Sequence, residues 1–196
     1  GNKIPFETNV WVSATRTRNY VANDGLLDWL KVYEEKHGFI KDKDREEYDI
    51  NLDFTNFLFN QGNNFEESVI DYLKKEHSSE NFVEVATEQN DSKSFRKAER
   101  TLELMNQGVP FITQGVLWNP NNRTFGMPDI LVRSDWLNEI TEEQSIDKSS
   151  ENIPAPLLNS NYHYRVVDVK FTTLKFNASN TQLQNGKLSQ KMYKAQ

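Results

Sequence analysis

The chain has 196 residues, 36% of them hydrophobic, and a formal net charge of −6 at pH 7. This composition excludes a wholly disordered chain, and the length predicts one domain or one domain with an appendage. The absence of cysteine excludes disulfides, thiolate zinc sites and cysteine-ligated iron–sulfur clusters, and no apolar run is long enough to span a membrane. The first residues lack the apolar core of a secretory signal, so we expect an intracellular, cytoplasmic or nuclear protein with no membrane partner.

The first third of the chain is predicted to be helical. The segment ANDGLLDWLKVYEEKHG carries an apolar stripe at helical spacing and stops at Gly38. Residues 52–59 are compatible with a helix or a buried strand, and their pattern favours the helix. Because Gly62 interrupts the pattern, we interpret residues 1–61 as an N-terminal helical appendage and residues 62–196 as the core.

A second helix is predicted for NNFEESVIDYLKKEH, directly after that glycine. The helical increment of about 100° places Glu66 within its apolar arc and turns Glu67 toward solvent. A carboxylate that faces a core needs a cation, a metal ion or hydrogen-bond donors, so Glu66 is predicted to have a partner. A glutamate that only complements the helix dipole would suit Glu67 equally well. The apolar arc consists of Phe65, Val69, Tyr72 and Leu73.

The middle of the chain predicts a short strand, a helix and two longer strands. The segment SSENFVEVATEQNDSKS reads as a short strand inside a polar connection, and FRKAERTLELMNQG as a helix that ends at Gly108. The longer strands are PFITQGVLW and TFGMPDILVR, joined by the turn-rich NPNNR.

Asp129 lies at the start of the apolar part of the second long strand, directly after a proline. The Pro-Asp pair is also a common turn and strand-entry signal, so it does not by itself identify a site. The stretch near 138–161 is polar and contains proline, and we interpret it as an insertion with partly irregular structure.

A third long strand, YRVVDVKFTTL, carries two opposite charges. Strand alternation places Val167, Val169 and Phe171 on one face, and Asp168 and Lys170 on the other. An ordinary surface ion pair is compatible with the same spacing.

Two carboxylates from neighbouring strands can hold a hard divalent cation such as Mg²⁺. Such an ion stabilises charge that develops on a phosphate and activates a water, which a nearby lysine can orient or deprotonate. The acidic net charge argues mildly against a surface dominated by nucleic acid, but a metal site needs carboxylates and a bound dication reverses their effect locally.

A helical Glu66 followed by GMPD and then VVDVK resembles the PD-(D/E)XK nuclease superfamily. The run LMNQGVPFITQGVLWNPNNRTFGMPDILVR is similar to the RecB-like, lambda-exonuclease-like branch, which includes CRISPR-associated RecB-like nucleases. The resemblance covers residues 62–196. It implies an α/β fold, with a small mixed sheet flanked by helices, and a divalent-metal-dependent DNA nuclease that hydrolyses phosphodiester bonds as an exonuclease from DNA ends.

Carried over by position, the resemblance implies metal-binding carboxylates at Glu66, Asp129 and Asp168, a further ligand in the Val169 carbonyl, and a catalytic lysine at Lys170. The implied cofactor is Mg²⁺ or Mn²⁺. Many CRISPR-associated relatives also hold an iron–sulfur cluster through four cysteines, which this chain lacks.

The family's next motif is a helix with a glutamine and, four residues later, a tyrosine. Gln196 would supply the glutamine and the tyrosine has no counterpart, so we expect a nuclease core that is truncated at its C-terminal end. Nucleic-acid contacts are predicted for Lys187, Lys191 and Lys194, which recur at helical spacing, and for Gln114 and Gln196. A solvated helix face is equally compatible with the three lysines.

Two other functions remain open. The chain could be a catalytically weak or inactive DNA-binding or assembly module that keeps the nuclease fold. It could also be a protein-interaction domain in which Asp168 and Lys170 form only an ion pair. The expected partner is DNA; a helicase or another DNA-processing protein, and a second copy of the chain, also remain open as partners.

Overall fold

The computed structural model describes residues 11–21, 23–38 and 54–171, which form mixed α/β structure. The chain divides into two compact units. Among the residues that the structure describes, one unit comprises Trp11 and Glu66–Lys170, and the other comprises Val12–Phe65 and Phe171. No helix in these ranges is long and apolar enough to cross a membrane.

The unit that begins at Val12 is mainly helical where it is described. Its elements are β1 (Val12–Ser13), α1 (Ala14–Val21), α2 (Leu26–His37) and the first turns of α3 (Phe54–His77). As predicted, α2 ends at Gly38, which has a φ of 67°.

Helix α3 differs from the prediction in one respect, because it passes through Gly62 without a break. A glycine inside a helix costs only about 1 kcal/mol relative to alanine, which the neighbouring turns can offset. The expected boundary between residues 61 and 62 therefore lies inside α3, and the two compact units divide between Phe65 and Glu66.

The unit that comprises Trp11 and Glu66–Lys170 contains a four-stranded mixed sheet. The other strands of the described residues are β2 (Phe82–Glu84), β3 (Phe111–Thr113), β4 (Leu117–Asn119), β5 (Thr124–Gly126), β6 (Ile130–Arg133) and β7 (Tyr164–Val167). The strand order of this sheet is β2-β3-β6-β7, with β2 parallel to β3 and the other two pairs antiparallel. The α/β class and the small mixed sheet are as the sequence predicts.

Helices cover both faces of this sheet. Helix α3 contributes Leu73 to a cluster with alternate sheet residues, and α4 (Phe95–Gln107) contributes Leu104 to a second cluster. Along β6, Ile130 and Val132 face the α3 side, whereas Leu131 between them faces the α4 side. Each of these β6 residues is at least 98% buried, which fixes the register of β6 and so the position of the residue that precedes it.

The two long strands predicted for the middle of the chain are each divided in two, so that prediction is wrong in extent. The first is interrupted after β3 by Gln114, whose φ is 50°, and the second is interrupted by Pro128 between β5 and β6. Both breaks have a local cause, since a left-handed residue turns the chain and proline has no N–H for the ladder. The intervening β4 and β5 form an antiparallel hairpin. Its turn comprises residues 120–123, the last four residues of the predicted NPNNR, and Asn119 is the end of β4.

The polar stretch near 138–161 packs against the sheet rather than standing apart. It follows a 3₁₀ helix (Ser134–Glu139) and contains the short α5 (Lys148–Glu151). Asn138 donates to the carbonyl of Ile146 and to the carboxylate of Glu151, and Leu158 is buried. These contacts order backbone that would otherwise be irregular.

Candidate active site

The predicted acidic residues meet where β6 begins and β7 ends. The two strands are antiparallel, with Ile130 opposite Val167. Continuing that register places Asp129, the residue before β6, opposite Asp168, the residue after β7. Two carboxylates that are distant in sequence therefore share one end of the sheet.

Asp168 and Lys170 were predicted inside a long strand, but β7 ends at Val167 and both residues follow it. The paired backbone cannot continue in register, because the position opposite Val169 is Pro128, which lacks an N–H. The alternation nonetheless persists for the side chains. Val167 and Val169 pack against the α3-side cluster, whereas Asp168 and Lys170 point elsewhere and contact each other.

The Asp129 side chain forms a hydrogen bond with the chain after β7, at the point where the backbone pairing of β6 and β7 ends. Its Oδ2 accepts a hydrogen bond from the Val169 N–H at 2.6 Å. A short charge-assisted bond of this kind fixes the orientation of the carboxylate. Val169 thus contacts the site through its N–H, and the predicted role of its carbonyl as a metal ligand stays a prediction.

Lys170 and Asp168 form an ion pair, with Nζ 2.6 Å from Oδ1. The Lys170 side chain is 43% exposed and that of Asp168 is 23% exposed. An exposed ammonium group remains accessible to a ligand, and an ion pair at the surface contributes little to folding stability. The pair therefore orients both groups more than it holds the fold together.

Glu66 is half-buried on α3 and Glu67 is exposed, which confirms the predicted helix phase. The same prediction is wrong for Tyr72, which is 62% exposed, and for Phe65, which is also exposed. The described residues of α3 that pack against the sheet cluster are Val69, Ile70 and Leu73.

The expected partner of Glu66 is an amide. Nε2 of Gln114 donates to Oε1 of Glu66 at 2.5 Å. Gln114 was predicted to contact nucleic acid, and nothing in the sequence pattern joined it to Glu66. The available signal was a polar Gln-Gly pair between two apolar strand segments, which marks a break where a side chain can leave the sheet.

The carboxylates influence one another's protonation. Burial raises the pKa of Asp129 to about 6; the Val169 N–H opposes this rise, the negative charges of Glu66 and Asp168 add to it, and Lys170 opposes it. Burial also raises the pKa of Glu66, opposed by the Gln114 hydrogen bond and by Lys170 and reinforced by Asp168. Glu66, Asp129, Asp168 and Lys170 thus act as one electrostatic group, in which added positive charge would favour the ionised carboxylates.

This group fits a hard divalent cation by the chemistry of its donors, which are carboxylate oxygens from a helix and two strand ends. Within residues 11–21, 23–38 and 54–171, however, no three histidine, cysteine, aspartate or glutamate side chains are gathered closely enough to hold a metal ion. One oxygen of each carboxylate is already bonded, to Val169, Lys170 or Gln114. Asp129 and Asp168 would have to adjust around an ion.

The predicted nucleic-acid contacts Lys187, Lys191, Lys194 and Gln196 lie outside the described residues. Comparisons with protein-family models, with curated proteins and with solved structures found no match to this chain. The chemistry of the site and the motifs that carry the family resemblance are therefore the basis for assigning a function.

Proposed function

We propose that this chain is a divalent-metal-dependent DNA nuclease with a PD-(D/E)XK-type core, which hydrolyses phosphodiester bonds from DNA ends. The observation that carries the proposal is the pairing of Asp129 and Asp168 at one end of the sheet, with Lys170 ion-paired to Asp168. Glu66 joins them electrostatically from α3.

Asp129 and Asp168 are the groups that would hold Mg²⁺ or Mn²⁺, with Glu66 and the Val169 carbonyl as further contributors. When bound, the ion would stabilise negative charge on the scissile phosphate and lower the pKa of a water molecule. The Val169 N–H orients the Asp129 carboxylate through one oxygen, and the side chain would adjust from this orientation to hold the ion.

Lys170 would act on the nucleophile and the phosphate rather than on the ion. Its ammonium group is 2.6 Å from Asp168 and is partly exposed, so it can donate to a phosphate oxygen or orient a water while it keeps the ion pair with Asp168. The i, i+2 spacing places this donor beside the metal-binding carboxylate. The role is that of a positioned donor at the reacting centre.

Exonuclease action from an end is the form that the RecB-like resemblance favours, and DNA is the proposed substrate. A helicase or another DNA-processing protein is compatible with this form, because an exonuclease of this type needs a supply of accessible ends. The proposal places the basic contacts to the DNA backbone at Lys187, Lys191 and Lys194.

A second candidate function is a catalytically weak module that binds DNA or assembles with a partner through the same fold. The observation that favours it is that the described carboxylates do not gather into a group of three able to hold a metal, while Lys170 neutralises Asp168. Such a module would bind metal weakly and turn DNA over slowly or not at all.

The test is cleavage of end-labelled linear DNA and of covalently closed circular DNA, each with Mg²⁺, Mn²⁺ or EDTA. The exonuclease proposal predicts metal-dependent release of label from the linear substrate and no cutting of the circle. Cutting of the circle would establish an endonuclease instead. DNA binding without cleavage would favour the second candidate. Calorimetry that detects no Mg²⁺ or Mn²⁺ binding sensitive to Asp129→Ala and Asp168→Ala would reject the metal-dependent nuclease.

A further inference from the structure

Gln114 has an unusual backbone conformation for a residue with a long side chain. It follows the last residue of β3 and has a φ of 50°, in the left-handed region. Glycine adopts this region freely, whereas other residues are strained there by the contact between Cβ and the following carbonyl. A glutamine at this position needs a compensating interaction.

The neighbouring Gly115 is a glycine for a different reason, which is close packing. A Cβ at Gly115 would lie 2.8 Å from Cδ1 of Leu131 and 3.3 Å from Cγ2 of Thr101, so the close approach of the chain requires glycine at position 115. Position 114 faces no such restriction and carries a side chain that reaches α3. The strained residue is thus the one that makes a contact.

Gln114 is bonded to three separate segments. Its side chain donates to Glu66 on α3, its backbone N–H donates to the carbonyl of Asp129 at 3.0 Å, and its carbonyl accepts from the N–H of Ala86 at 3.1 Å. One residue therefore joins the side chain of one acidic site residue to the main chain of another.

We propose that Gln114 is a positioning residue of the nuclease site, which holds the Glu66 carboxylate in place relative to Asp129 through its side-chain amide. The inference rests on the proposed function for its catalytic consequence, but the contact itself can be tested without cleavage. It is an alternative to the expectation that this amide contacts nucleic acid, which stays a prediction; the observed partner of Nε2 is Glu66.

Two variants separate the side chain from the backbone. Gln114→Gly removes the amide and relieves the left-handed conformation, so we expect a melting temperature close to that of the wild type. Gln114→Asn keeps an amide and tolerates the left-handed region, but its side chain is one methylene shorter and cannot span the same distance. Neither change requires the backbone to move.

The expected kinetic result is a fall in kcat of about 10- to 100-fold for both variants, the usual range for a residue that orients a metal-site ligand, with DNA affinity unchanged. A contact to DNA would instead weaken binding and leave kcat of the bound complex intact. In the Glu66→Gln background, Gln114→Gly should have no additional effect on kcat, because the two residues act through one contact. Wild-type kcat in both Gln114 variants, or loss of DNA affinity alone, would overturn the proposal.

A second readout does not depend on activity. In nitrogen–proton NMR spectra of the metal-free protein, the side-chain amide resonances of Gln114 should shift on Glu66→Gln and stay in place on Glu67→Gln, since only Glu66 accepts the bond. If the Gln114 amide resonances do not shift on Glu66→Gln, the contact is refuted even in an active enzyme. If the wild type cleaves no DNA but the resonances respond as expected, the nuclease proposal fails while the structural role of Gln114 stands.

Discussion

Glu66 and Glu67 are adjacent and chemically identical, yet they meet different surroundings. Glu66 is half-buried and bonded to Gln114, whereas Glu67, which lies about 100° further around α3, is exposed. We expect Glu66→Gln to weaken cleavage and Glu67→Gln to leave it close to that of the wild type. Initial rates on labelled linear DNA measure both, and the pair controls for net charge. If Glu67→Gln were the damaging change and Glu66→Gln the neutral one, the assignment of the Glu66 face of α3 to the site would be wrong.

We expect a substitution of Lys170 to have different effects from substitutions of the neighbouring carboxylates. We expect Lys170→Ala to keep metal and DNA binding while it lowers the cleavage rate by about 10²- to 10⁴-fold, the range for loss of a general acid–base group. Asp129→Ala and Asp168→Ala should lose metal binding as well as cleavage. Calorimetry and single-turnover rates distinguish the two classes of variant.

The matched variant for Lys170 is Lys170→Arg, which keeps a positive charge beside Asp168 but changes the shape of the donor. If charge alone matters, Lys170→Arg should retain most of the activity; if a compact ammonium donor is needed, it should resemble Lys170→Ala. Normal cleavage by Lys170→Ala would remove the lysine from the proposed mechanism altogether.

Asp129 should make folding stability depend on pH in the metal-free protein. Burial raises its folded-state pKa to about 6, above the ordinary value of 3.8, so the folded state binds this proton more tightly than the unfolded state does. The stabilisation from protonation is fully present below about pH 4 and is lost as pH rises through about 6. We therefore expect Asp129→Asn to gain stability relative to the wild type between these pH values.

Denaturant midpoints measured in EDTA across this pH range test the sign of that effect. Asp147→Asn, a change at an exposed aspartate, serves as the control and should track the wild type. A gap between Asp129→Asn and the wild type that narrows as pH rises would contradict the raised pKa.

The turn at Gln114 and Gly115 fixes where β3 ends and where the Glu66 contact begins, and its glycine is required by packing. A Cβ at Gly115 would lie 2.8 Å from Cδ1 of Leu131, which is 98% buried and has little room to move. We expect Gly115→Ala to destabilise the fold by about 1–3 kcal/mol, as overpacking of a core does.

The matched control for that variant is Gly62→Ala in α3, where an added Cβ would meet no atom within 4 Å. Because alanine is the better helix former, this change should stabilise the protein by about 0.5–1 kcal/mol. Chemical denaturation of both variants gives the two free energies of unfolding. Equal effects at the two positions would show that the close contact at Gly115 relaxes without cost.

The elements that follow from periodicity were predictable, and those that depend on tertiary contacts were not. The inward phase of Glu66 follows from the helical increment alone, and it is confirmed. The break at Gln114 was missed, because a left-handed conformation is uncommon for glutamine and the contact of its side chain with Glu66 is set by tertiary packing. The continuous passage of α3 through Gly62 was missed because a single glycine is a weak helix breaker.

In the candidate site, too, the sequence order of the residues was predictable and the contacts between distant residues were not. The order of Glu66, Asp129, Asp168 and Lys170 in the chain was enough to predict them as one group, and the register of β6 and β7 brings the two aspartates opposite each other. The bond from Val169 to Asp129 and the bond from Gln114 to Glu66 join residues 40 and 48 positions apart. Such pairings are set by the packed fold, and no local pattern encodes them.

The molecule as a whole is acidic, with a formal net charge of −6, and its candidate site concentrates part of that charge. Carboxylates that raise one another's pKa are stabilised when a dication binds among them, and only the folded chain brings them together. We expect saturating Mg²⁺ or Mn²⁺ to stabilise the protein, by roughly 2–3 kcal/mol at a concentration about 100 times the dissociation constant.

Melting temperatures measured against metal concentration test this linkage, with K⁺ at matched ionic strength to separate specific binding from screening of the net charge. The Asp129→Ala and Asp168→Ala variants should each lose the metal-dependent rise, whereas Asp147→Asn should keep it, because Asp147 is exposed and is not one of the paired aspartates. The paired aspartates do not form a metal site if neither ion changes the melting temperature of the wild type. The same follows if both alanine variants still show the metal-dependent increase in melting temperature. The proposal of a metal-dependent nuclease would then lose its basis, whereas a rise confined to the intact pair would make the two aspartates one site that the whole fold assembles.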